Sequence, residues 1–166
     1  MRKLGVFCSL LLAVPVFSQD VKTTILKHLK TSRDFTVKVA EAMPESSYSF
    51  KLTPPQMSFA EQMVHLSQGL DYFTCPLLGE KPNPPKPASL SKSDVIAFEK
   101  AAFDRAIQRV SSLTPDQISK DSYNGEDGKA SGLELLLGML DHTTHHRASA
   151  EMYLRAKGIK PPDYEF

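Results

Sequence analysis

The sequence predicts an all-α protein: a bundle of four long helices, with a long proline-rich connection between the second and the third. Three observations point there. Apolar residues recur at three- and four-residue spacing in four separate stretches, the period of an amphipathic helix. Prolines fall between those stretches and never inside them. Period-two alternation, the mark of a half-buried strand, is limited to a short run at Tyr48, Phe50 and Leu52.

The chain opens with Met1-Arg2-Lys3, an apolar run over residues 4–16, and Val16-Phe17-Ser18. A basic start, a short apolar segment and small or aliphatic residues at −3 and −1 of a cut after Ser18 form the layout of a secretory signal peptide. Residues 1–18 are therefore expected to be a leader, and the mature protein to be exported, periplasmic or secreted. A spanning helix needs about 20 apolar residues, more than this run supplies, so no stable membrane insertion is expected after cleavage. Cys8 lies within the apolar run behind Gly5-Val6-Phe7, a poor context for lipid attachment.

The first helix is expected over about residues 21–43, with Ile25, Leu29, Val39 and Met43 on one side, and Pro44 stops it. Residues 45–55 connect it to the second. That helix should run over 56–74, carrying Phe59, Met63, Leu66, Leu70 and Phe73 as its apolar stripe, and Pro76 ends it. "GEKPNPPKPASLSKSD" follows as an extended surface connection. Ser91 with Asp94 resembles a capping box, with Asp in place of Glu, and opens the third helix, which buries Phe98, Ala102, Ala106 and Leu113 before Thr114-Pro115. "NGEDG" at 124–128 has the turn chemistry of a short hairpin. The fourth helix spans about 131–157 and stops at Gly158, with Pro161-Pro162 beyond.

The full chain carries 20 basic and 19 acidic residues. Loss of Arg2 and Lys3 leaves 18 against 19, so the mature protein is close to neutral. Nucleic-acid binding, which depends on a basic surface, is not expected. About 148 residues suit a single domain. Cys75 is the one cysteine left after cleavage, so an internal disulfide is excluded and a buried, unreactive thiol is expected.

The chemistry is concentrated in "DHTTHHR", residues 141–147. Three readings compete there: a metal site, an acid–base site, and a polar helix face without function. Four residues advance a helix by about 400°, so His142 and His146 stand above one another about 6 Å apart and can converge on one ion. The pair His142/His145 is also geometrically possible. The stripe of Leu135, Met139, His142, His146 and Tyr153 favours His142 and His146 as inward-facing, leaving His145 nearer the rim. Two ligands make a weak site, and His65 of the second helix, beside Leu66, is the best third. Glu61, four residues earlier, could orient an imidazole or act as a base. His28, among lysines, is expected to face solvent. Nucleophile-elbow and phosphate-loop motifs are absent from the sequence.

Residues 43–68, "MPESSYSFKLTPPQMSFAEQMVHLSQ", and 135–162, "LLLGMLDHTTHHRASAEMYLRAKGIKPP", resemble the DinB superfamily, named for DNA-damage-inducible proteins, over about residues 21–162. The most specific piece is H-x-x-H-H-R leading into Y-L-R-x-x-G-x-x-P-P. The resemblance implies an up-down-down-up bundle, often a homodimer. It also implies a divalent metal held by one histidine of the second helix and an i,i+4 pair of the fourth: here His65, His142 and His146, the same three that spacing selects. His145 and Arg147 match the segment as neighbours of the ligands. Ala148 and Ser149 stand where the family often has Gly-Gln.

The expected activity is that of a metal-dependent (thiol) transferase or a hydrolase acting on a small molecule. The alternative is a non-catalytic metal-binding or stress-associated exported module. Structural zinc sites usually have four protein ligands, whereas three leave the ion open to substrate. Nitrogen donors suit zinc, nickel, iron and copper, with zinc and nickel the first expectations.

Overall fold

The structure is a computed structural model that describes residues 15–125 and 128–165. The leader assigned to residues 1–18 lies mostly outside them. Among the described residues no helix is long and apolar enough to cross a membrane.

Four long helices dominate: α1 (Pro15–Ala42), α2 (Phe59–Thr74), α3 (Lys92–Ser112) and α5 (Gly132–Ala156). A one-turn helix, α4 (Pro115–Ser119), and a hairpin of β1 (Asp121–Gly125) and β2 (Gly128–Ser131) join α3 to α5. α2 packs against both α3 and α5, α1 packs against the same two, and the seam between α1 and α5 is the looser.

Local chemistry explains the boundaries. α2 begins at Phe59 rather than near residue 56, because Ser58 and Glu61 form a complete capping box that fixes the first turn. Ser131 and Glu134 do the same for α5. Ser91 caps α3, but the Asp94 carboxylate accepts from Ser89 Oγ at 2.6 Å instead of reaching back to the Ser91 N–H. Aspartate is one methylene too short to close the box. α5 stops where Gly158 adopts φ 74°, with its N–H and that of Ile159 donating to Arg155 and Leu154 carbonyls.

Two expectations are corrected. The Tyr48–Phe50–Leu52 alternation does not make a strand. A 3-10 turn at Glu45–Ser47 precedes it, and Tyr48 is pulled into the core, where its hydroxyl donates to the Ala40 carbonyl at 2.8 Å. Second, α4 was not foreseen. Thr114 and Gln117 form another capping box, and Ile118 is buried beneath it.

The core has two clusters stacked along the helices. One holds Leu29, Leu66, Leu70, Phe103, Val110, Leu136 and Met139. The other holds Phe35, Met43, Phe59, Met63, Val95, Tyr153 and Leu154. Each large side chain buried in them stabilises the fold by about 1.5–3 kcal/mol. Near the level where one cluster gives way to the other, each long helix turns a buried polar residue inward: Thr36, Ser67, Glu99 and Thr143. Thr36 and Thr143 are satisfied by carbonyls of their own helices. Both Glu99 carboxyl oxygens lack a hydrogen-bond partner, and burial pushes that carboxyl well above the usual range.

Candidate metal centre

The capping box at Ser58 sets the register of α2, and the box at Ser131 sets that of α5. Their packing brings His65 of α2 against His142 and His146 of α5. Ring centroids are 5.3 Å apart for His65–His142, 4.5 Å for His65–His146 and 4.4 Å for His142–His146. One ring nitrogen from each lies within 4.8 Å of the others, so these three residues form a set that could hold an ion. His65 is exposed and the other two are partly buried, so the cluster opens to solvent on the α2 side.

Two features show that the rings suit a cation. Burial and the neighbouring imidazoles push His142 and His146 down to about 4, so both are neutral near pH 7 and keep a lone pair available. His142 Nδ1 is buried with no hydrogen-bond partner in the protein. Buried polar atoms are almost always satisfied, so an orphaned imidazole nitrogen beside two other imidazoles fits a metal ligand.

Gly69 makes the arrangement possible. A Cβ there would fall 2.2 Å from Cε1 and 2.5 Å from Nδ1 of His142. The His142 ring thus lies directly on the α2 backbone, where only glycine admits it. Phe73 closes the next turn, with its ring centroid 5.7 Å from that of His142.

The other residues singled out in the sequence sit differently. Glu61 spends its carboxylate on the capping box with Ser58, which holds it below the usual carboxylate range, and lies 3.6 Å from Lys51. Gln62, and not Glu61, lies against an imidazole: its side-chain amide is 2.6 Å from His146 Nδ1. The amide nitrogen is the atom placed there; with the amide turned over, its oxygen accepts from an Nδ1–H, which leaves Nε2 as the donor to an ion. His145 is exposed at the rim, its ring 4.9 Å from that of His146. Arg147 points to the far side of α5, where it bonds Ser32 of α1. His28 does not face open solvent; it is half-buried and lines a groove between α1 and α5.

Gln62 and Gly69 were missed, although both carried a signal. They stand three residues before and four after His65, on the same helix face. A glycine inside a helix costs about 1 kcal/mol relative to alanine, so Gly69 called for a packing reason.

Beside His146 opens a cavity of about 420 Å³, walled by Leu52, Met57, Gln62, His145 and Tyr153. The Tyr153 hydroxyl donates to the Met57 carbonyl at 2.6 Å, tying α5 to the chain entering α2 and holding the apolar wall in place. Of the three clustered imidazoles, His146 is the one that lines this cavity.

Comparison with known proteins bears on the whole chain. The model of the DinB family matches residues 17–166. No match is found among curated proteins. Among solved structures, a DinB-like protein from Bacillus subtilis superposes with a TM-score of 0.74 at 22% identity, over 86% of this chain and 98% of that one. A DinB-like protein from Bacillus cereus superposes with a TM-score of 0.69 at 17% identity, over 86% of this chain and 97% of that one. At these identities the likeness concerns the fold.

Proposed function

Because the chain belongs to the DinB family, we propose that it is a metal-dependent enzyme whose His65, His142 and His146 hold one divalent ion, zinc or nickel first among the candidates, for transfer or hydrolysis of a small substrate. The observation that carries this reading is the convergence of three imidazole nitrogens within 4.8 Å, two of them on rings held neutral, beside a cavity. Bound there, a divalent ion supplies Lewis acidity, polarising a substrate oxygen or lowering the pKa of a water or thiol. The protein's own residues do the rest. Gln62 orients His146, Gly69 admits His142, and Leu52, Met57 and Tyr153 keep one wall of the cavity apolar. Exposed His145 lies at the rim, its ring beside that of His146. The cavity favours catalysis over simple metal storage, which needs no room for a second molecule.

An up-down-down-up course is part of the proposal, supported by contacts between helix ends: Asp71 late in α2 pairs with Arg105 and Arg109 late in α3, so those two helices run in the same sense. Lys22 at the start of α1 reaches the Leu113 carbonyl past the end of α3, and Lys92 at the start of α3 reaches the Met43 carbonyl past the end of α1. Gln62 meets His146, whereas Phe73 meets Gly138, so α2 and α5 also run in opposite senses. Export after cleavage near Ser18 and assembly as a homodimer complete the proposal. Mass spectrometry of protein from its host should find Gln19, or a residue within two of it, at the N-terminus; uncleaved protein would contradict export.

The test of function begins with metal analysis of untagged protein. About one equivalent of ion is expected, lost on changing His65, His142 or His146 to Ala and retained in His145→Ala and His28→Ala. Turnover of thiol-transfer or ester substrates should follow the metal content. Retention of the ion by all three ligand variants would contradict the proposal.

A further inference from the structure

The groove between α1 and α5 encloses about 350 Å³ and lies away from the imidazole cluster. At about 100° per residue, Leu140, Thr144 and Arg147 project from the side of α5 opposite His142. Ile25, Leu137 and Leu140 give the groove an apolar lining, while Thr24, Thr31, Ser32 and Thr144 supply hydroxyls. Leu137 remains 48% exposed on its wall.

Arg147 sits at one end and is only 5% exposed. Its guanidinium donates to Ser32 Oγ at 2.7 Å and more weakly to Thr144 Oγ1 at 3.5 Å, both neutral. The face of Phe35 lies 4.5 Å from the guanidinium carbon. Among the described residues no carboxylate comes within ion-pair distance of it. A ring face offsets part of the cost of burying this charge, but a buried guanidinium ordinarily has an anionic partner. The planar fork of arginine matches a carboxylate or a phosphate, and the acids lining the groove favour the one of lower charge.

We infer that the groove between α1 and α5 binds a small monocarboxylate, its carboxylate on Arg147 and its apolar body along Ile25, Leu137 and Leu140. The other charges select against a second negative group. Asp141 lines the groove, and so does Glu165, which is paired with Lys38. A dicarboxylate or phosphate would meet them unfavourably. The chain after α5 crosses the Arg147 end, where Tyr164 packs edge-on against Phe35 at 6.0 Å. A volume near 350 Å³ is at the small end of ligand pockets, which run from about 300 to 1,000 Å³.

Calorimetric titration of the purified protein with sodium octanoate tests this, with 1-octanol and inorganic phosphate as the comparison probes. Octanoate should bind saturably, at least about ten-fold more tightly than octanol, since a charge-assisted hydrogen bond is at stake. Phosphate should not bind. Leu137→Glu, at an exposed wall position, should weaken octanoate at least about ten-fold by placing a charge beside the apolar body. Arg147→Gln should erase the preference for octanoate over octanol. If that variant does not fold, the wild-type preference and Leu137→Glu still decide. His65→Ala should bind octanoate like the wild type, because the groove is separate from the metal cluster. The inference is overturned by absence of saturable octanoate binding, by equal affinity for octanol, by an unaffected Leu137→Glu, or by loss of binding in His65→Ala, which would place the carboxylate on the metal.

Discussion

A methyl group at position 69 would collide with the His142 ring at 2.2 Å, which makes Gly69 a residue-scale test that leaves every ligand in place. Gly69→Ala should keep the helical circular dichroism, because alanine's better helix propensity of about 1 kcal/mol offsets part of an overpacking cost of about 1–3 kcal/mol. Metal affinity should fall at least about ten-fold as His142 is pushed aside, matching the effect of losing a residue that orients a ligand. Wild-type affinity in this variant would show that the ring does not lie where the structure puts it. Gln62→Leu probes the same principle at His146. It removes the side-chain partner of Nδ1 and should cost about ten-fold in metal affinity with little loss of fold. The pH dependence of the metal-free protein follows from the two depressed imidazoles. Their folded pKa values, about 4, lie below the 6.5 of unfolded chains. Between those values the unfolded rings take up protons that the folded ones refuse, so stability is present above pH 6.5 and is lost as pH falls toward 4. After allowance for solvent screening, each ring contributes on the order of 1 kcal/mol. Urea denaturation of Glu99→Gln, which lacks the buried carboxyl whose response opposes this one, measures it at pH 7 and pH 5, and equal stabilities would contradict the assignment.

Between elements, α2 is clamped to α3 by Asp71, which is 2% exposed and pairs with both Arg105, at 2.9 Å, and Arg109. Removing one member of a buried ion network leaves charge without a partner, so Asp71→Ala should cost about 3 kcal/mol. Chemical denaturation reads this directly, and a loss below about 1 kcal/mol would mean that solvent already screens the clamp. Neither the clamp nor the buried Glu99 was legible in the sequence, where each looked like an ordinary charge between apolar neighbours. The helices were legible because period and proline punctuation are local properties. α4 was not, since a single turn has no period to detect, and the Tyr48 run misled because alternation is also produced by a turn that dips one aromatic into the core.

For the molecule as a whole, the polar level between the two core clusters sets a second pH response, opposite in sign to the first. Glu99 has its carboxyl pushed upward by burial. Below the ordinary carboxylate range both folded and unfolded states carry the proton. As pH rises above it the unfolded chain ionises first, and stability falls until the folded carboxyl ionises too. Glu99→Gln, neutral throughout, should therefore gain stability over the wild type as pH rises from 4 to 8. A difference independent of pH would show that Glu99 is ionised in the fold.

The three histidines that the fold brings together were legible to the same degree as the helices: an i,i+4 pair is visible in one dimension, and His65 stood out beside Leu66. What sequence could not supply was the facing of α2 on α5, which decides that Gln62, and not Glu61, reaches an imidazole. The central claim is that His65, His142 and His146 together bind one ion and leave it open to substrate. X-ray absorption on the metal-loaded, untagged protein tests this most directly. The account predicts three imidazole donors at about 2.0–2.1 Å plus light-atom scattering from solvent, if the ion is zinc. The spectrum should be unchanged in His145→Ala and show one imidazole fewer, or no bound ion, in His146→Ala. A spectrum that loses an imidazole in His145→Ala and keeps all of them in His146→Ala would contradict it.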